Sequence, residues 1–258
     1  MKAYKGYLID LDGTMYRGTE EIKEASEFVS FLAERNLPYL FVTNNSSQTP
    51  EQVAEKLRSF QVPATSDHIF TTSMATANYI SMKQVNASVF AIGEEGLRDA
   101  LQKKGLRLTE DNPDYVVIGI DRDITYEKLA QACLAVRSGA TFLSTNGDIA
   151  IPTERGLLPG NGAITSVISV STNTKPMFIG KPEKIIVEQA INQLGLAKED
   201  VMMVGDNYDT DIMAGINCGI DTLLVHTGVT QKEHLDVLVQ RPTYTVDDLA
   251  EYVKALKE

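Results

Sequence analysis

Asp10 and Asp12 stand two residues apart at the end of an apolar run, Tyr7 to Ile9, and Gly13 follows at once. In an extended chain, residues i and i+2 share a face. Two carboxylates brought that close repel each other, so a cation is expected to join them. A hard divalent ion such as Mg²⁺ suits oxygen donors of this kind. If the apolar run is a buried parallel strand, the pair lies at its carboxyl end, where open α/β sheets bind their ligands. A plain Asp-Gly turn would account for the same residues without any chemistry. The full wording Asp10-Leu11-Asp12-Gly13-Thr14 and its downstream partners weigh against that.

Those partners sit at other polar interruptions. Thr43-Asn44 ends the apolar run from Tyr39 to Val42. Lys181 lies in Gly180-Lys181-Pro182 at a helix start. Gly205-Asp206 ends the run from Val201 to Val204, and Asp211 follows. Singly, each is weak. Thr-Asn is an ordinary turn, a lone lysine is usually a surface lysine, and an aspartate before Ile212 can cap a helix. For Asp209, capping is the leading reading. The order of the whole set is what carries weight.

In that order the residues resemble the four motifs of the haloacid-dehalogenase (HAD) superfamily of phosphohydrolases, and the resemblance spans the whole chain. It implies an α/β fold: a doubly wound parallel-sheet HAD core with an inserted α/β cap domain. It implies Asp10 as a nucleophile that forms an aspartyl-phosphate, and Asp12 as the acid and then base for the leaving oxygen and for water. It implies Mg²⁺ on Asp10, the Asp12 main-chain carbonyl and Asp206, with Asp211 holding a metal-bound water. Thr43, Asn44, Lys181 and Asn207 fall to the phosphate. Few residues separate Asp12 from the first long helix, so the extra domain is expected between Thr43 and Lys181. Val42 to Ser46, Thr145 to Asp148, Pro159 to Gly162, Gly180 to Pro182 and Gly205 to Ile212 are together similar to the NagD / p-nitrophenyl-phosphatase subfamily, with its C2-type cap. That subfamily usually has Asn-Pro-Asp in the cap loop; here it is Asn146-Gly147-Asp148. Asn146 and Asp148 are candidates near the leaving group, with a plain surface turn as the alternative.

The elements that must position these residues alternate. Strands are expected at 6–10, 39–42, 69–71, 88–92, 115–120, 141–144, 176–179, 201–204 and 222–225. Helices are expected at 21–34, from Pro50, 73–82, from Gly93 to Lys103, 126–138, 163–169, from Gly180 to Gly195, from Asp211 to Cys218, and 246–257. Residues 152–162 read as loop. Thr230 to Glu233 reads as a capping box. Alternation of this kind implies parallel sheets covered by helices. The expected division is a core of 1–75 and 180–258 with an inserted domain of 76–179.

Composition narrows the function. The chain has 258 residues, 43% apolar and 23% charged, with a net charge of −11. So acidic a chain is not expected to bind nucleic acid or an anionic membrane. Cys133 and Cys218 make no disulfide framework, and His68, His226 and His234 show no zinc spacing. With no signal segment or membrane-spanning run read in the sequence, the expected place is the cytoplasm. Walker, Rossmann and Gly-x-Ser-x-Gly patterns are all absent. The expected activity is a Mg²⁺-dependent phosphatase for a small phosphorylated metabolite: a sugar phosphate, a nucleotide or p-nitrophenyl phosphate. A phosphotransferase or phosphomutase, and a non-catalytic phosphometabolite-binding protein, stand as alternatives. A homodimer through the cap is compatible with the sequence, though no feature compels it.

Overall fold

The computed structural model describes residues 2–153 and 155–257. The chain forms two compact units. The first is Met1–Thr43, Pro50–Phe70 and Lys181–Glu258; the second is Asn44–Thr49 and Thr71–Gly180.

The first unit is built on a six-stranded sheet. Its order is Tyr244–Val246, Asp221–Val225, Val201–Gly205, Gly6–Ile9, Tyr39–Thr43, Ile69–Thr71. Gly6–Ile9 runs parallel to both of its neighbours, pairing Ile9 with Val204 and with Phe41. Later strands extend the sheet on one side and earlier ones on the other. The order therefore reverses beside Gly6–Ile9, the place where such sheets hold ligands at their carboxyl ends. Side chains alternate across the pleat. Tyr7 and Ile9 enter one core with Phe28, Phe41 and Tyr252, so Leu8 faces the other side. Phe28 meets the Tyr7 ring edge-on at 5.5 Å and the Tyr252 ring at 5.8 Å. A fully buried side chain of this size contributes roughly 1.5–3 kcal/mol. Helix Lys23–Glu34 packs with Leu249–Lys257, and Lys184–Leu194 packs with Met213–Cys218.

The second unit has a five-stranded sheet ordered Met177–Phe178, Thr141–Ser144, Tyr115–Ile118, Ser88–Ile92, Arg107–Leu108. Its pairs are parallel. Val89 and Val117 feed one core, while Phe90, Ile92, Val116 and Ile118 feed the other. Two cores on one sheet need helices on both faces, which is why these strands read as unbroken apolar runs.

Several expectations need correction. Residues 152–162 are not all loop: Ala150–Thr153 pairs antiparallel with Gly156–Pro159, although Glu154 lies outside the described residues. Most of the hairpin's side chains are exposed, so it carries no apolar period to read. Val246 ends a sixth core strand, and the terminal helix begins only at Leu249. The Thr230 capping box is replaced by one residue of shift. His234 Nδ1 accepts from Gln231 N at 3.1 Å, while Thr230 Oγ1 accepts from Tyr208 N at 2.8 Å. Among the described residues, no helix is long and apolar enough to cross a membrane.

Candidate active site

In the first unit, three parallel strands deliver their carboxyl-end residues to one place. Asp10 N donates to Val204 O at 2.9 Å, locking the residue after the central strand onto its neighbour. Asp206 follows Val201–Gly205, and Thr43 closes Tyr39–Thr43. Asp10, Asp206 and Asp211 are all buried, and one carboxylate oxygen from each lies within 4.8 Å of the others.

Lys181 enters this cluster from the segment before helix Lys184–Leu194. It is 2% exposed. Its Nζ donates to Asp10 Oδ1, to Asp211 Oδ1 at 2.8 Å and to Val42 O at 2.9 Å. One ammonium among three carboxylates leaves two negative charges uncompensated if all are ionised. Burial, reinforced by Asp211 and Asp206 and opposed by Lys181, pushes Asp10 well above the usual carboxylate range. Burial and then Asp211 push Asp206 up to about 6. Burial alone would lower Lys181, but Asp10 and Asp211 outweigh it and hold its ammonium above the ordinary lysine range. This donor set, all oxygen, buried and short of positive charge, fits a hard divalent cation.

Asp206 is fixed on both oxygens. Oδ1 accepts from Thr14 Oγ1 at 3.0 Å and Oδ2 from Val229 N at 2.7 Å. Gly13 has φ +89°, and a Cβ there would fall on the Asp206 carboxylate. The glycine in Asp-Gly-Thr is thus demanded by the turn and by the close approach of Asp206. Asp211 Oδ2 accepts from Asn207 N at 3.1 Å. The chain from Tyr208 to Ile212 is a wide π-type turn, with Ile212 N reaching back to Asn207 O. The expected regular helix start at Asp211 is therefore corrected. So is the cap: Asn207 Oδ1 accepts Asp209 N at 3.1 Å, and Asp209 is capped rather than capping. Asp12 is exposed at the surface of this unit, and its backbone bridges to Tyr16.

Asn44, Asn146 and Asp148 belong to the second unit, where the structure gathers them. Asn44 Nδ2 donates to Asp148 Oδ1 and Oδ2 at 3.2 and 3.3 Å, and Asn146 Nδ2 donates to Asn44 O at 2.8 Å. Asn161 Nδ2 holds the same turn through Asn146 O at 2.8 Å and Ser144 Oγ at 2.9 Å. A Cβ at Gly162 would fall on Gly147 O, so helix Asn161–Thr172 starts hard against that turn. Sequence reasoning gave no role to Thr14, Val229 or Asn161. Thr14 and Asn161 stood inside quoted motifs. Val229 acts through its backbone, which leaves no residue-type signal.

Residues 7–107 match the family described as haloacid dehalogenase-like hydrolase, and residues 178–252 match the HAD-hydrolase-like family. A 5'-nucleotidase, YutF, of Bacillus subtilis is 64% identical over 98% of this chain and 99% of its own length. This chain belongs to the haloacid-dehalogenase-like hydrolases. An acid sugar phosphatase of Staphylococcus haemolyticus is 55% identical over 100% of this chain and 98% of its own length. The structure of a p-nitrophenyl phosphatase from Archaeoglobus fulgidus superposes with a TM-score of 0.93 at 37% identity, covering 98% of this chain and 100% of that one. The fold of this HAD-like chain, with its inserted α/β cap, agrees with these relatives.

A pH effect follows from Asp206. The folded chain holds it near 6, against about 3.9 in an unfolded chain. Between those values the folded state binds more protons, so through this group the metal-free protein gains stability as pH falls. In EDTA, the Tm is expected to be higher at about pH 5.5 than at about pH 7.5. If the cluster takes up a divalent cation, saturating Mg²⁺ should erase or reverse that order, because metal and proton would compete for the same oxygens. Thermal denaturation at both pH values checks this. A metal-free Tm that drops on acidification would count against the assignment.

Proposed function

We propose that this chain is a Mg²⁺-dependent phosphatase that hydrolyses small phosphomonoesters through an aspartyl-phosphate on Asp10. The observation that carries the reading is the buried set Asp10, Asp206 and Asp211 with Lys181 among them. The relatives named for nucleotides, sugar phosphates and p-nitrophenyl phosphate support the same class of substrate.

Asp10, Asp206 and the Asp12 main-chain carbonyl would hold Mg²⁺, with Asp211 behind them. When bound, the ion neutralises charge and orients a phosphate among carboxylates. The residues do the rest. Asp10 attacks phosphorus in line, and the P–O bond to the leaving alcohol breaks. Asp12 gives its proton to the departing oxygen. It then takes one from the water that attacks the acyl-phosphate, releasing phosphate and regenerating Asp10. Thr43 and the Asn44 amide donate to phosphate oxygens, and Asn207 flanks them. Lys181 supplies the fixed positive charge, with a helix N-terminus behind it. Asp12 stands outside the buried cluster, with its side chain exposed.

Residues 1–75 and 180–258 serve as the catalytic core in this reading. Residues 76–179 serve as the cap, with Asn146 and Asp148 on the leaving-group side. A cytoplasmic place and a homodimer through the cap are consistent with it. The test is phosphate release from p-nitrophenyl phosphate, sugar phosphates and nucleoside monophosphates, with Mg²⁺ and with EDTA. Release that EDTA abolishes and added Mg²⁺ restores is the expected result. Release only in the presence of an acceptor sugar would favour the transferase. Binding without any release would favour the sensor.

A further inference from the structure

We propose that Lys56, held over the Tyr16 ring beside Asp12, forms a subsite for a second anionic group on the substrate, on the leaving-alcohol side of the phosphate. The proposal rests on the phosphatase reading and on Asp12 as the acid of that reaction. It names a substrate class: phosphomonoesters whose alcohol carries a further carboxylate or phosphate.

Lys56 lies on helix Pro50–Ser59, which Val53, Ala54 and Leu57 anchor in the core of the first unit. Its Nζ stands 3.7 Å from the centroid of the Tyr16 ring. Tyr16 is 6% exposed, and its ring packs on Phe60 at 5.5 Å, so the platform is fixed. Tyr16 is also the residue whose backbone bridges to Asp12. Among the described residues, no carboxylate lies within ion-pairing distance of Lys56 Nζ. Many of the other lysines are paired: Lys2, Lys5, Lys23, Lys103, Lys128 and Lys181 each meet an acid.

The ammonium is thus half-buried, and among the described residues its close contact is a π face. An aromatic face replaces part of a cation's lost hydration, but it accepts no strong hydrogen bond. Burial pulls Lys56 below the ordinary lysine range, and the charge of Asp12 opposes this. An anion docking here would complete the ammonium's coordination. The chain carries a net charge of −11, so an anionic substrate depends on such local cations. In the proposed reaction Asp12 touches the leaving oxygen. A cation beside Asp12 therefore addresses the alcohol and not the transferred phosphoryl group, which falls to Lys181.

The experiment compares phenyl phosphate with 4-carboxyphenyl phosphate in wild type, Lys56→Met and Lys56→Arg. The quantity read is the ratio of kcat/KM for the charged ester to that for the uncharged one, so intrinsic reactivities cancel between variants. Wild type is expected to lose selectivity for the charged ester in Lys56→Met by about five- to tenfold, mainly through a higher KM for that ester. Lys56→Arg should keep most of it. The wild-type selectivity should shrink as salt rises from about 0.05 to 0.5 M. A merely structural lysine would shift the Tm of Lys56→Met and leave the ratio alone. An unchanged ratio overturns the proposal, as does an equal loss in Lys56→Arg. Wild type that releases phosphate from neither ester would overturn the phosphatase reading itself, and this proposal with it.

Discussion

Asp10→Asn is expected to lower kcat by about 10⁴-fold or more, because in the proposed reaction it removes the attacking oxygen and no neighbour can replace it. Asp206 and Asp211 share the cluster, but their oxygens are held by Thr14, Val229, Asn207 and Lys181. The substitution is nearly isosteric, and an amide oxygen can still accept from Lys181. It also removes one charge from a buried set that is short of cations. The metal-free Tm should therefore hold or rise while turnover disappears. Phosphate-type ligands should still bind, more weakly as metal affinity falls. Steady-state kinetics beside thermal denaturation checks both halves. Hydrolysis at the wild-type rate would remove Asp10 from the nucleophile's role.

Lys181→Met should damage stability as well as turnover. Lys181 is wholly buried, and its ammonium binds Asp10, Asp211 and Val42 O. Breaking a buried ion pair from one side costs roughly 3–5 kcal/mol, since the partner charges stay behind. In a domain of this size that corresponds to a Tm drop on the order of 10 °C in EDTA. Part of the loss should return in Mg²⁺, because a dication bound as proposed would neutralise the same carboxylates. Turnover should stay low even then, because in the proposed reaction the phosphate has lost a fixed cation. A metal-free Tm within about 2 °C of wild type would mean that the carboxylates do not depend on this lysine.

The buried chemistry was legible because each chemical residue interrupts an apolar run. Asp10, Thr43 and Asp206 each end a strand with no polar residue inside it, and parallel strands put all such ends on one edge. Lys181 was legible only through its company, since a Gly-Lys-Pro turn alone says nothing of burial. What escaped was set by tertiary contact. Lys56 occupies an unremarkable helical position until Tyr16 comes under it. Val229 holds Asp206 with a backbone N–H that any residue could offer. The hairpin Ala150–Thr153 with Gly156–Pro159 keeps most of its side chains exposed and so breaks no pattern. Val246 looked like the start of an apolar helical stripe and is instead the last residue of an edge strand. The turn at Tyr208 takes one residue more than a regular helix would, which spacing from Asp206 to Asp211 does not disclose.

The first unit's sheet seats its N-terminal strand, Gly6–Ile9, between Tyr39–Thr43 and Val201–Gly205. On the ribosome, that seat stays half open for most of translation. The strand that leads into Asp10 is made well before its partner on one side, which comes about 190 residues later, a delay of about ten seconds or more at ordinary synthesis rates. The second unit, nearly continuous from Thr71 to Gly180, is complete while the first still waits. The N-terminal 70 residues are therefore a nascent segment with an unpaired strand edge, open to mispairing until Val201–Gly205 arrives. A transcript cut short anywhere before Val201 would carry Asp10 and Asp12 intact and still have no acidic site to place them in.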